Sequence, residues 1–258
     1  MDNVVLKDLS IGYTAKKRQR VVASGLNATI SSGQLTCLLG RNGIGKSTLL
    51  RTLAAFLPAL SGDIIMEGVT LASLTDKQLS HRIGIVLTEK PHVRNMTVEE
   101  MVAMGRAPYT GFWGKLEDED LEVIRKAILQ TGIEALSSRE IQTISYGERH
   151  KVKIAMALAQ QTPIIYLDEP TAFLDFPSKV EMMQLLHRLA GEEQKTIFLS
   201  THDVELALQL ADCIWLMEPG ALHVGTPQEL ARQGALSRFI ERDNIHFDQH
   251  TLTIQVTK

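Results

Sequence analysis

The sequence predicts an α/β fold built around a phosphate-binding loop, and three observations carry that prediction. Gly40-Arg41-Asn42-Gly43-Ile44-Gly45-Lys46-Ser47-Thr48 reads G-x-x-x-x-G-K-[ST] without a gap, between an apolar stretch at 35–39 and a helix-competent run at 47–53. From Gly147 onward apolar strand-like runs alternate with helical ones, the rhythm of a parallel sheet. The block from about 89 to 146 carries helix signals and no strand signal, so it reads as a helical insertion into a core of about 1–88 and 147–258.

Taken in order, residues 4–11 alternate as a half-buried strand does and end at Gly12-Tyr13. The basic run Lys16-Lys17-Arg18-Gln19-Arg20 reads as the solvated tip of a hairpin, with 21–30 as the returning strand. Ser31-Ser32-Gly33 turns into the strand before the phosphate loop. After the first helix, Pro58 and Ser61-Gly62-Asp63 break the pattern, and strands follow at 64–66 and 82–87. Thr97-Val98-Glu99-Glu100 is a capping box for a helix ending at Met104. Residues 105–116, with Pro108, Gly111 and Gly114, read as a loop. A second helix over 117–130 has an acidic first turn and Leu121, Ile124 and Ile128 on one face. A basic helix over 149–160 leads into 164–169, a near-continuous apolar run of the kind buried on both faces of a parallel sheet. Ser178-Lys179-Val180-Glu181 reads as a capping box for a helix to about 190. A strand at 196–200, a helix at 203–210, a strand at 213–217, a hairpin punctuated by Gly220 and Gly225, a helix opened by Pro227 and two short strands within 245–256 complete the chain.

With 258 residues, 44% hydrophobic and 22% charged, the chain has material for a substantial core. A net charge of −3 gives no electrostatic case for a nucleic-acid partner. Cys37 and Cys213 sit in apolar strand-like runs and read as buried free thiols, which suits a reducing compartment. The N-terminal residues show no basic segment followed by an apolar one, so no signal peptide is expected. No apolar run approaches the ~18–20 residues that cross a bilayer, so any membrane role would come through a partner.

The loop's chemistry follows from its residue types. Glycines at 40, 43 and 45 let backbone N–H groups curl into an anion nest, and the following helix adds its positive end. Lys46 would reach the β- and γ-phosphates, and Ser47 would offer its hydroxyl to Mg²⁺. Asp168-Glu169 ends a buried strand, where ligands bind in open α/β sheets. Asp168 can hold Mg²⁺ through water, and Glu169 can polarise an attacking water as general base. His202 follows the next apolar strand, in place for a γ-phosphate contact, and Asp175 lies a few residues past the acidic pair as a turn carboxylate.

In this order the motifs resemble the ATP-binding subunit of ABC transporters, over nearly the whole chain. Residues 40–48 match Walker A, and 164–169 match Walker B with Glu169 as its catalytic glutamate. Ile144-Ser145-Tyr146-Gly147-Glu148 resembles the LSGGQ signature, Asp175 the D-loop, His202 the switch histidine, and Tyr13 the aromatic that stacks on adenine. The resemblance implies a RecA-like P-loop NTPase core with an antiparallel β-subdomain and the inserted helical subdomain. It implies ATP and Mg²⁺ as cofactors, with Arg41, Asn42, Ile44 and Thr48 among the nucleotide contacts, and two copies docked head to tail. Ser145, Gly147 and Glu148 of one copy would then complete the phosphate site built by Lys46, Glu169 and His202 of the other. Further partners implied are integral membrane permeases at the cytoplasmic face of the inner membrane and, indirectly, a substrate-binding protein.

Met104-Gly105-Arg106-Ala107-Pro108-Tyr109, followed by Phe112 and Trp113, resembles the importers of iron-siderophores, haem and cobalamin. The aromatics there either meet another protein or pack the helical block. Three residues depart from the family pattern. Thr88 or Glu89 stands where the Q-loop glutamine would contact Mg²⁺, Tyr146 replaces the first signature glycine, and His150 stands where a longer polar residue is usual. An active ATPase with altered kinetics is the expectation; a soluble ABC ATPase without a permease and a nucleotide-binding regulator with weak turnover are the rivals.

Overall fold

The computed structural model describes residues 2–15, 18–87, 95–111 and 114–257. Strands β1 (Asp2–Ala15) and β2 (Arg18–Ser31) form a long antiparallel hairpin. After them, β3 (Leu35–Gly40) enters a second sheet, and α1 (Lys46–Leu53) follows the phosphate loop. The chain then returns to the hairpin sheet through β4 (Ser61–Met66) and β5 (Val69–Thr70), giving the order β2-β1-β4-β5. Helix α2 (Asp76–Ser80) leads to β6 (Ile83–Val86). Next come α3 (Val98–Ala103), α4 (Asp118–Thr131) and α5 (Tyr146–Ala159). Strand β7 (Ile164–Asp168), α6 (Phe176–Glu192), β8 (Thr196–Ser200), α7 (Val204–Leu210) and β9 (Cys213–Glu218) restore the α/β alternation. Edge strand β10 (Ala221–Gly225), α8 (Pro227–Arg232), α9 (Ala235–Ile240) and the hairpin of β11 (Ile245–Asp248) with β12 (Thr253–Val256) end the chain.

The second sheet has the order β10-β9-β3-β8-β7-β6 and is parallel from β9 to β6. Its strands are apolar on both faces, and their two-residue alternation splits the core in two. Leu35, Cys37, Leu39, Ile165, Leu167, Ile197, Leu199, Ile214 and Leu216 pack beneath α3–α6, α8 and α9. Leu38, Ile164, Tyr166, Phe198, Trp215 and Met217 face α1 and the hairpin sheet. On that side Tyr166, Phe198 and Trp215 run across three strands edge to face, with centroids 6.1 and 5.0 Å apart. Both cysteines are free; Cys37 is buried and Cys213 half-buried, its thiol pushed up to about 11 mainly by burial.

Several helix starts differ from the sequence expectation, each because of a cap. Helix α5 starts at Tyr146, not 149, because Ser145 and Glu148 form a reciprocal capping box. Residues 178–181 are not a cap: α6 begins at Phe176 with Pro177 in its first turn, and Asp175 accepts from the Ser178 N–H at 3.0 Å. Two unread helices are α2, capped by Thr75 with Gln78, and α9, entered through Gly234 at φ 69. Residues 105–116 are not wholly irregular, since 104–106 form a 3₁₀ turn.

Arg106 and Tyr109 answer part of the question about their segment. Arg106 is buried; its Nε donates to Asp120 Oδ1 at 2.8 Å, and its Nη1 donates to the Ala159 carbonyl and Gln161 Oε1. Its guanidinium lies 3.9 Å over the Tyr109 ring, and the Tyr109 hydroxyl donates to the Gln160 carbonyl. These two residues tie α4 to the end of α5, so for them packing is the answer; Phe112 and Trp113 lie outside the described residues. Arg106→Ala leaves the Asp120 carboxylate with the Glu117 N–H alone and removes the bonds to Ala159 and Gln161, and should cost roughly 3 kcal/mol in urea unfolding, with Asp120→Asn costing less.

Candidate active site

The parallel register brings the site together. Leu38 of β3 pairs with Ser200 of β8, and Asp168 of β7 pairs with Ser200 on its other side. Gly40, Asp168 and Ser200 therefore end at one sheet edge, the carboxyl edge where open α/β sheets bind ligands. The loop after Gly40 needs glycine for space as well as for turning. A Cβ on Gly40 would stand 2.7 Å from the Met217 carbonyl oxygen, and one on Gly45, at φ +120, 2.4 Å from Val22.

Lys46 curls back over the loop. Its Nζ donates to the Gly40 carbonyl at 2.9 Å and its side chain is buried. Burial pulls its ammonium below the usual lysine range, partly offset by Glu169 and Asp168. Ser47 Oγ donates to Asp168 Oδ1 at 3.2 Å, and Ser200 Oγ donates to the same oxygen at 2.6 Å. Glu169 follows with its backbone at φ 48, and its N–H points to the carbonyl and hydroxyl of Ser200, each at 3.1 Å. His202 Nε2 stands 2.6 Å from Glu169 Oε1; the carboxylate can only accept, so Nε2 carries the proton.

Tyr13, at the end of β1, exchanges a hydrogen bond between its hydroxyl and Thr48 Oγ1 at 2.9 Å, with its ring half-exposed. A cavity of about 420 Å³ opens between this ring and the loop, lined by Tyr13, Asn42, Gly43, Gly45, Lys46, Ser47, Thr48, Glu169 and His202. Gly40, Arg41, Asn42 and His202 also border a second cavity of about 430 Å³ beside Phe239. Ile44 packs against the core that faces α1.

Three contributors escaped the sequence reading. Arg20, in a run that reads as a solvated tip, pairs with Tyr13 in the hairpin and lines the cavity with Val22, a placement set by the hairpin register. Ser200 was read only as strand, although its hydroxyl holds both Asp168 and Glu169. Asp203 accepts from Thr171 Oγ1 and pairs with Lys179 Nζ, each at 2.5 Å, fixing the segment after Glu169 to the one after His202.

Ser145, Gly147 and Glu148 do not line the Lys46 cavity in the same chain. Ser145 caps α5: its Oγ accepts from the Glu148 N–H, and the Glu148 carboxylate accepts from the Ser145 N–H at 2.7 Å. These bonds hold Glu148 below the usual carboxylate range. Asp175 likewise caps α6, and the Ser178 hydroxyl together with the Ser178 N–H lowers its carboxyl. The Tyr146 ring finds room by folding back, 4.6 Å from the His150 ring and 5.6 Å from the Phe173 ring. Thr88 and Glu89 lie outside the described residues.

Among the described residues no three His, Cys, Asp or Glu side chains converge to hold a metal by themselves. Ser47 and Asp168 supply two oxygen donors, a fit for Mg²⁺, which takes one or two protein oxygens and completes its shell with phosphates and water. The arrangement therefore suits a nucleoside triphosphate carried with its own cation.

The profile of the ABC transporter family matches residues 23–172. The iron(3+)-hydroxamate import ATP-binding protein FhuC of Bacillus subtilis is 33% identical over 94% of this chain and 89% of its own length. The cobalamin import ATP-binding protein BtuD of Halobacterium salinarum is 31% identical over 92% of this chain and 59% of its own length. A metal-chelate type ABC transporter solved in an inward-facing conformation covers 100% of this chain and 97% of its own at a TM-score of 0.80, with 24% identity, and shares its fold.

His150 is buried, and burial lowers its pKa from 6.5 to about 4, with Lys153 adding to the shift and the Pro170 carbonyl opposing it. The folded chain binds fewer protons there than the unfolded chain, so this stability is present above pH 6.5 and is lost as pH falls toward about 4. Urea unfolding at pH 7 and pH 5 should show the loss, and His150→Gln should flatten that slope.

Proposed function

The chain belongs to the ABC transporter family, and on that footing we propose that it is the ATP-hydrolysing subunit of an importer for an iron-siderophore, cobalamin or haem chelate. Its permeases are separate chains in this reading; among the described residues no helix is long and apolar enough to cross a membrane. Two copies work head to tail at the cytoplasmic face of the inner membrane, and a substrate-binding protein delivers the cargo. The observation that carries this reading is the meeting of Lys46, the Ser47–Asp168 pair and the Glu169–His202 pair on one cavity beside Tyr13.

ATP lies with its adenine against Tyr13 and its phosphates on the backbone N–H groups of the loop and the first turn of α1. Lys46 exchanges the Gly40 carbonyl for the β- and γ-phosphates. Ser47 and Asp168 would hold Mg²⁺, which neutralises charge on those phosphates. The Glu169 carboxylate, fixed by His202 and by the Ser200 contacts to its N–H, accepts the proton of a water aligned with the γ-phosphorus. The new P–O bond forms from that water as the bond to ADP breaks. Ser145 and Gly147 of the second copy, at the positive end of their own α5, close the γ-phosphate from the far side, with Asp175 at the same seam.

Glu169→Gln keeps the shape and removes the base. Phosphate release by the purified chain with Mg-ATP should fall about 10²–10⁴-fold while ATP binding persists; unchanged release would remove Glu169 from the mechanism. A tagged chain recovered from membranes in gentle detergent should bring an integral protein with it. Recovery wholly in the soluble fraction, without such a partner, would contradict the transport role.

A further inference from the structure

Three contacts join the start of α5 to the five residues after Glu169. The Pro170 carbonyl lies 3.0 Å from His150 Nδ1. The Tyr146 ring meets the Phe173 ring edge to face at 5.6 Å. Gly147 comes so close that a Cβ there would stand 3.3 Å from Leu174 Cδ2. Pro170 adjoins the general base, and Tyr146 and Gly147 adjoin Ser145.

His150 is the polar member of this junction. A carbonyl only accepts, so Nδ1 carries the proton and donates, and the ring's other nitrogen, Nε2, has no partner among the described residues. The ring is 1% exposed, which makes this a dry hydrogen bond, and the Tyr146 ring covers one side of it. Phe173 adds a second sign that the segment is held in place: it keeps φ at 61 with its ring 84% exposed, a conformation that an unrestrained phenylalanine leaves.

We propose that His150 is a positioning residue that fastens α5 to the Glu169–Pro170 turn, so that the Ser145 half-site offered to the second copy moves as one piece with the chain's own general base. The inference rests on the function proposed above. Binding of ATP against Ser145 of one copy then shifts Glu169 of that same copy, which serves the other nucleotide. A pair of sites wired this way hydrolyses ATP cooperatively.

The test uses the purified full chain and two variants, with phosphate release measured against ATP concentration. His150→Phe keeps ring, volume and the contact with Tyr146 but cannot donate to Pro170. His150→Gln can donate but cannot stack. The expected result is that His150→Phe lowers kcat about tenfold with KM within about twofold, and that its Hill coefficient falls toward about 1. His150→Gln should keep the wild-type kcat and cooperativity, an outcome that a general loss of folding would not give. If His150→Phe matches the wild type, or if His150→Gln falls as far as His150→Phe, the hydrogen bond is not the coupling element and the inference is overturned. A wild type that releases no phosphate overturns the assigned function and the inference with it; turnover by the wild type with indifferent variants overturns the inference alone.

Discussion

One oxygen of Asp168 organises the site. It accepts from Ser47, the second residue of α1, and from Ser200, the last residue of β8, so it draws the phosphate loop and the neighbouring strand to a common point. That sharing is possible because β3, β8 and β7 are adjacent, parallel and in register, with apolar residues on both faces as a sheet covered on both sides requires. Carboxylate and hydroxyls buried or half-buried at the edge of such a sheet would be poorly placed without one another. Satisfied by one another, they form an oxygen cluster beside the loop whose glycines leave room for a phosphate.

Around that point the chain uses short-range caps to aim its longer elements. Ser145 and Asp175 each start a helix, and each lies beside a segment that approaches the site. The residues between Glu169 and Asp175 are gripped from two directions, by Asp203 through Thr171 and by His150 through Pro170. Glu169 itself keeps an uncommon positive φ, which the Ser200 contacts to its N–H help to maintain.

The phosphate loop, the acidic strand end and His202 were legible because each pairs a residue type with a place on a strand or helix, and the register then had little freedom in bringing them together. Arg20 was not legible, since a charge in a basic run says nothing about which face it takes until the hairpin register is known. The start of α6 was misread because Ser178 and Glu181 have a capping spacing of their own, while the true cap, Asp175, precedes a proline that fits only the first turn. The start of α5 was missed for a related reason: Ser145 and Glu148 repeat the Thr97–Glu100 cap, but their place in a nucleotide motif hid it. Tyr146 and His150, departures from the family pattern in sequence, become intelligible as a pair four residues apart on one helix face.

The direct test of the composite site is a structure of the Glu169→Gln chain with ATP and Mg²⁺. The account requires two copies head to tail, each triphosphate lying between residues 41–47 of one copy and Ser145 of the other, with the cation on Ser47 and Asp168. Phosphates bound away from that loop, or held by a single copy whose Ser145 faces solvent, would contradict it.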